Sequence, residues 1–177
     1  MPQDVSYPQK QTNTSSRGVV SILLWVAVST CWLVSIFTVI EEMCLATACR
    51  DTAGFTFFGF NMGLFGIGYF SLVLLSLWLR KKHCRLESLL FALVFAGSGA
   101  ELRLLWIQKY VIGGWCPLCV TISCALFVAA VLLLAGKLHE MKCQQVGVGG
   151  LLKWGAFLAL SIATGLTIAV AGVQPLV

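Results

Sequence analysis

A chain of 177 residues that is 59% hydrophobic and 11% charged, with a mean hydropathy of +0.92, is too apolar for a soluble domain of its length. Its net charge of +5 does not point to nucleic acid, because the basic residues fall in short clusters between apolar runs, the pattern of positive-inside topology. Soluble enzymes and nucleic-acid binders are thereby excluded, and an integral membrane protein remains.

Residues 1–17, MPQDVSYPQKQTNTSSR, are polar and lack apolar periodicity, as a flexible tail would. Residues 18–40 form the first apolar run, long enough at ~1.5 Å per residue to cross a hydrocarbon layer of roughly 30 Å. A cleaved signal peptide or a lipoprotein site at Ala46-Thr47-Ala48-Cys49 competes for this stretch. Against it, the run is too long, Glu41 and Glu42 interrupt it, and Ala46 stands where a lipobox needs leucine.

Residues 41–58, EEMCLATACRDTAGFTFF, form the main loop between spans and carry Cys44 and Cys49. The second run, 59–79, contains Gly59, Gly63, Gly66 and Gly68, small residues that let helices approach closely in lipid, and stops at Arg80-Lys81-Lys82-His83-Cys84-Arg85. The third, 86–110, is the least apolar, with Glu101, Arg103, Gln108 and Lys109 in or near its end. A charge at the bilayer centre costs about 2.5–3.5 kcal/mol on insertion scales. Glu101 is therefore expected to face the bundle with a structural partner and Arg103 to snorkel, although either could assist protonation of a bound molecule. The fourth run opens at Cys116-Pro117-Leu118-Cys119, continues to about residue 135, and is closed by Lys137-Leu138-His139-Glu140-Met141-Lys142. A glycine-rich connector leads to a fifth run, 151–171, with no soluble domain expected after it. The expected organisation is an all-α integral membrane protein: tail 1–17, four-helix bundle 18–136 with its loop 41–58, connector 137–150, and a fifth, peripheral span in 151–177.

Five spans place nine Lys and Arg residues on one side: the tail, the 80–85 loop, the 137–142 loop and Lys153. Arg50, Arg103 and Lys109 are on the other. The nine-residue side is expected to be cytoplasmic, in an inner (cytoplasmic) membrane, with both cysteine pairs facing the periplasm, where disulfides persist.

Eight cysteines form two close pairs, Cys44/Cys49 and Cys116/Cys119, and four singles, Cys31, Cys84, Cys124 and Cys143, whose simplest role is structural. A CxxC at a helix start keeps its sulfurs within bridging distance, and the positive end of the helix dipole favours thiolate. Pro117 suits the first helical turn, where a missing N–H costs nothing. Such a disulfide is tight and reducible, suited to exchange more than stapling. A static bridge remains the plain alternative, and zinc a weaker one, since these two spacings at an oxidising membrane edge make a poor structural site. Two dithiols on one side make a relay by successive exchange.

Electrons reaching Cys116 and Cys119 must leave, and the chain has no haem attachment motif, iron–sulfur spacing or dinucleotide fingerprint. The membrane offers a two-electron acceptor, a quinone such as ubiquinone or menaquinone. Phe55, Phe57, Phe58, Phe60, Phe65 and Trp115 are candidates to line its pocket, with Asn61 as a hydrogen-bond donor, and an interfacial aromatic belt is the plain reading of the same aromatics.

The first pair after span one, the CxxC opening span four, and Asn61-x3-Phe65-Gly66-x2-Tyr69 in span two together resemble the vitamin K epoxide reductase family, in the form of a bacterial homologue without a fused thioredoxin-like domain. The resemblance covers roughly residues 18–136. A disulfide-bond oxidase of the DsbB type is the functional analogue, but its CxxC lies in the first extracytoplasmic loop. The resemblance implies a four-helix bundle around a quinone, with Cys119 as the quinone-proximal sulfur and Cys116 as its resolving partner. Cys49 would exchange with Cys116, and Cys44 would meet a periplasmic DsbA-like thioredoxin-fold protein. Thiol oxidation driven by quinone is the leading expectation. Thiol-driven reduction of a quinone or its epoxide, and a nonenzymatic membrane subunit with static disulfides, are the alternatives.

Overall fold

The computed structural model describes residues 14–44, 55–80, 84–143 and 148–175. The expected flexibility of the first residues, and everything expected of Cys49, fall outside these. Five helices are present among the described residues: α1 (Thr14–Cys44), α2 (Met62–Leu79), α3 (Cys84–Ile107), α4 (Pro117–Cys143) and α5 (Val148–Gly172). Each supplies a stretch long and apolar enough to cross a membrane, from 18 residues in Met62–Leu79 to 27 in Leu86–Ile112, the latter running past the end of α3. Hydrocarbon offers the backbone no hydrogen bonds, so an apolar chain there satisfies its N–H and C=O groups within its own helix.

Helices α1 to α4 close a ring in which α1 packs on α2, α2 on α3, α3 on α4 and α4 back on α1. The core follows helical spacing: Leu24, Val28 and Cys31 on α1, Val73 and Leu77 on α2, Leu90 and Val94 on α3, Leu126 and Ala129 on α4, all nearly or fully buried. The alternate faces, with Leu23, Val26, Trp78 and Val131, are exposed and meet lipid. Buried serines return their hydroxyls to their own helix: Ser35 donates to the Cys31 carbonyl, Ser98 to Val94 and Ser161 to Phe157, each at 2.9 Å.

The fifth helix lies outside this ring against α3, its principal partner. The contact is backbone on backbone. A Cβ at Gly165 would occupy the place of the Ala96 carbonyl, and one at Gly99 the place of the Ile162 carbonyl. Only glycine permits that approach, and close approach is what drives helix association where no hydrophobic effect operates.

A small sheet covers one end of the bundle, which the sequence did not reveal. Strands β1 (Phe55–Phe57) and β2 (Phe60–Asn61) form an antiparallel hairpin, and β3 (Val173–Pro175), continuing from α5, pairs antiparallel with the other edge of β1. The hairpin turns through Phe58 and Gly59, both at positive φ (50° and 81°), the backbone hand that two-residue hairpin turns require. Phe58 is held there by its N–H, which donates to the Gly172 carbonyl at 2.8 Å. The second helix thus begins at Met62, after the hairpin. At the opposite end Lys137 pairs with Glu87 (3.2 Å) and Glu140 (3.0 Å) and sits over the Trp154 ring, tying α4 to α3 and α5.

Replacing Gly165 by Val should separate α5 from α3 and destabilise the protein by at least about 1–3 kcal/mol, the usual range for overpacking. Thermal unfolding in detergent, followed by circular dichroism, reads this. Gly155→Ala, at a position where a Cβ meets nothing, should leave the transition in place or raise it slightly.

Candidate active site

The site is built on the first turn of α4. Pro117 is its first residue, and the Cys116 carbonyl already accepts the first helical hydrogen bond, from Val120 N–H at 3.0 Å. Cys116 therefore sits at the helix lip while Cys119 lies one turn inside. Cys116 is buried and disulfide-bonded. Cys119 is a free thiol, as are Cys31 and Cys124, so the partner of Cys116 is none of these three. The CxxC, expected to be able to close on itself, is open here, with its two sulfurs in different surroundings.

Cys119 lines a partly open cavity of about 140 Å³ among the helices. Phe57 from β1, Phe65 and Tyr69 from α2, Glu101 and Leu104 from α3, Ile122 from α4 and Ala169 from α5 are among its walls, with Ser35 and Thr38 of α1. Phe57 and Phe65 pack with ring centroids 4.2 Å apart, and Phe65 stacks on Tyr69 at 6.5 Å, an aromatic panel along one side. The wall's hydroxyls are occupied: Ser35 and Thr38 donate to carbonyls one turn back on α1, and Tyr69 donates to the Leu93 carbonyl. Glu101 is the one carboxyl on the wall among the described residues. Its Oε2 lies 2.6 Å from the Ser123 hydroxyl, which is also 3.0 Å from the Cys119 carbonyl.

The chain reaches Cys116 through an irregular segment. After Ile107, α3 widens into a π-helical turn, Gln108–Ile112, and stops at Gly113, whose φ of 74° reverses the backbone hand. Turns of this kind re-aim side chains at functional sites. Here Gln108 is buried, and its Oε1 has no hydrogen-bond partner among the described residues. Arg103 does not line the cavity: its guanidinium lies 4.4 Å from the centre of the Trp106 ring, and its Nε is buried with no hydrogen-bond partner among the described residues.

A sequence model of the vitamin K epoxide reductase family matches residues 44–134. The chain belongs to the vitamin K epoxide reductase family. It is accordingly a multi-pass membrane oxidoreductase acting on thiols and disulfides. No curated protein and no solved structure matches it. The family segment runs from the last residue of α1 into α4 and contains both cysteine pairs, the hairpin and most of the cavity wall. Ser35, Thr38 and Ala169 complete the wall from outside it.

Of the residues singled out in the sequence for this vitamin K epoxide reductase relative, Cys119, Phe57 and Phe65 line one cavity. Asn61 instead caps α2, its Oδ1 accepting from Gly63 N–H at 2.8 Å and Leu64 N–H at 3.4 Å. Phe58 and Trp115 are 57% and 59% exposed and lie off the cavity. Cys44 is the last residue of α1, and Cys49 lies outside the described residues. Tyr69 was legible as part of the motif and by its four-residue spacing from Phe65, which puts both on one helix face. Ala169 and the π turn at Gln108 carried no sequence signal.

The open CxxC has a direct chemical signature. Alkylation of protein isolated without reductant, followed by mass mapping, should modify Cys119 with a small apolar maleimide and leave Cys116 untouched until a reductant is added. A Cys116–Cys119 cross-link as the sole species would contradict the arrangement.

Proposed function

We propose that this chain is a quinone-dependent thiol oxidase that makes disulfides and passes them through two cysteine pairs to a periplasmic thioredoxin-fold protein. The observation that carries the proposal is the split of the CxxC: a free thiol, Cys119, in the wall of an apolar cavity, and Cys116, disulfide-bonded at the helix lip. A thiol relay that ends on a lipid-soluble acceptor needs one sulfur on each side of such a boundary.

The cavity fits the ring of a quinone. At about 140 Å³ it is close to the roughly 150 Å³ apolar cavity known to take up benzene. Phe57, Phe65 and Tyr69 would hold the ring's faces and edges, and the ring supplies an acceptor for two electrons and two protons. In this reading Cys119 delivers electrons to it, Cys116 joins Cys119 in a disulfide, Cys49 exchanges with Cys116, and Cys44 meets the external thiol. Each exchange is attack by a thiolate on a disulfide sulfur. Phe58 and Trp115, exposed at the same end, suit the membrane interface. The Lys and Arg imbalance supports a cytoplasmic location for the opposite end, where Arg80 and Lys137 lie.

Purified protein should consume quinone when supplied with a reduced thioredoxin-fold protein, at a rate that falls at least about 10²-fold in Cys119→Ala. Cys49→Ala should accumulate a mixed disulfide between Cys44 and the substrate protein, visible on a nonreducing gel. Undiminished activity in Cys119→Ala would remove the proposal. Net transfer from reduced substrate to a quinone epoxide, with none to quinone, would reassign the reaction.

A further inference from the structure

Among the described residues, the cavity has one proton-exchanging group besides the Cys119 thiol whose bonding leaves a proton free to move, and it is Glu101. The Ser35, Thr38 and Tyr69 hydroxyls that share the wall are each committed to a backbone carbonyl. No described lysine, arginine or histidine forms an ion pair with Glu101, whose companions are Cys31 from α1, Tyr69 from α2, and Cys119 and Ser123 from α4. Arg103, two residues along the same helix, is engaged with Trp106 instead. The structural partner expected for this carboxyl is therefore not a cation.

What holds it is Ser123, and the geometry counts hydrogens. Ser123 Oγ lies 2.6 Å from Glu101 Oε2 and 3.0 Å from the Cys119 carbonyl oxygen, yet a hydroxyl carries a single hydrogen. Both contacts are hydrogen bonds at once when the carboxyl is protonated and donates to Oγ while the hydroxyl donates to the carbonyl. When the carboxyl has given up its proton, the hydroxyl swings its hydrogen to Oε2. One side-chain pair thus accommodates both protonation states without moving a helix, on the same α4 turn that carries the thiol.

We propose that Glu101 is the proton carrier of this site: its carboxyl gives a proton to an oxygen of the bound quinone and takes one back from the Cys119 thiol, with Ser123 positioning it. The proposal rests on the quinone reading above. Closing a Cys116–Cys119 disulfide breaks two S–H bonds and forms one S–S bond. The two electrons and two protons so released leave as the two O–H bonds of the quinol, and Glu101 ends as it began. The Cys119 proton travels by way of Glu101, and the second proton is the one Cys116 releases at the helix lip as the disulfide closes.

The test uses full-length protein in detergent micelles with a short-chain benzoquinone as acceptor and dithiothreitol as electron source, comparing wild type with Glu101→Gln, Glu101→Asp and Ser123→Ala. Quinone reduction should fall about 10²-fold or more in Glu101→Gln, the usual contribution of a positioned acid, and recover in part in Glu101→Asp. Single-turnover exchange between dithiothreitol and the protein's disulfide, with no quinone present, should stay within about twofold of wild type, since it needs no proton from Glu101. Infrared spectra of quinone-free protein should contain a deuterium-sensitive carboxylic C=O band that is absent in Glu101→Gln and shifted in Ser123→Ala. Quinone reduction within about threefold of wild type in Glu101→Gln, a parallel fall of exchange and quinone reduction, or absence of the band would each overturn the proposal. Wild-type protein that exchanges thiols but leaves quinone unreduced would overturn the quinone reading itself, and this proposal with it.

Discussion

The structure depends on where α4 begins. Starting a helix between the two cysteines of one motif puts a backbone turn between their sulfurs, so the pair spans a boundary rather than lying on one side of it. Pro117 fixes the starting point, and the Val120 N–H to Cys116 carbonyl bond closes the turn. The left-handed Gly113 and the π turn before it deliver the chain at the required angle. Cys116 is left buried at the lip in a disulfide, and Cys119 in an apolar wall as a free thiol. Two sulfurs that share a sequence motif thereby acquire different chemistries by position alone.

The rest of the fold encloses the inner sulfur. Four helices make the cavity, and the hairpin lays Phe57 against its mouth, where the ring packs on Phe65. A three-residue strand paired only with a two-residue strand would be marginal by itself. It is anchored by β3, which follows directly from α5, and by the bond from Phe58 N–H to the Gly172 carbonyl. The glycine contact between α5 and α3 fixes the height of that anchor. The fifth helix is thus outside the bundle by packing and part of the site by connection, with Ala169 on the cavity wall. This explains how a helix beyond the family-matched segment bears on the family's chemistry.

Much of this was legible in the sequence because lipid imposes simple rules. Five apolar runs became five helices, and the order of the cysteine pairs among them led to the family. Phe57, Phe65 and Cys119, named together from the sequence as pocket candidates, do line one cavity, while Phe58 and Trp115, which the sequence could not tell apart from them, lie off it. Asn61 shows the limit: a side-chain amide just before an apolar run serves equally as a ring contact or a helix cap, and its bonds to Gly63 and Leu64 give it the second job here. The hairpin was hidden because strands of three and two residues are too short for periodicity to register. The sequence offered both Glu101 and Arg103 for proton transfer and could not choose between them, because Ser123, the group Glu101 meets, is 22 residues away and is ordinary among the serines of apolar helices.

The central claim is that the ring-binding cavity beside Cys119 is where the thiol chemistry meets the lipid phase. Photo-crosslinking with an azido-substituted benzoquinone, followed by peptide mapping, tests it most directly. Labels should concentrate on the segments carrying Phe57, Phe65, Tyr69, Cys119 and Ala169, and should be competed away by unlabelled quinone. Labels confined to the lipid-facing residues Val26, Trp78 and Val131, with no competition, would contradict it.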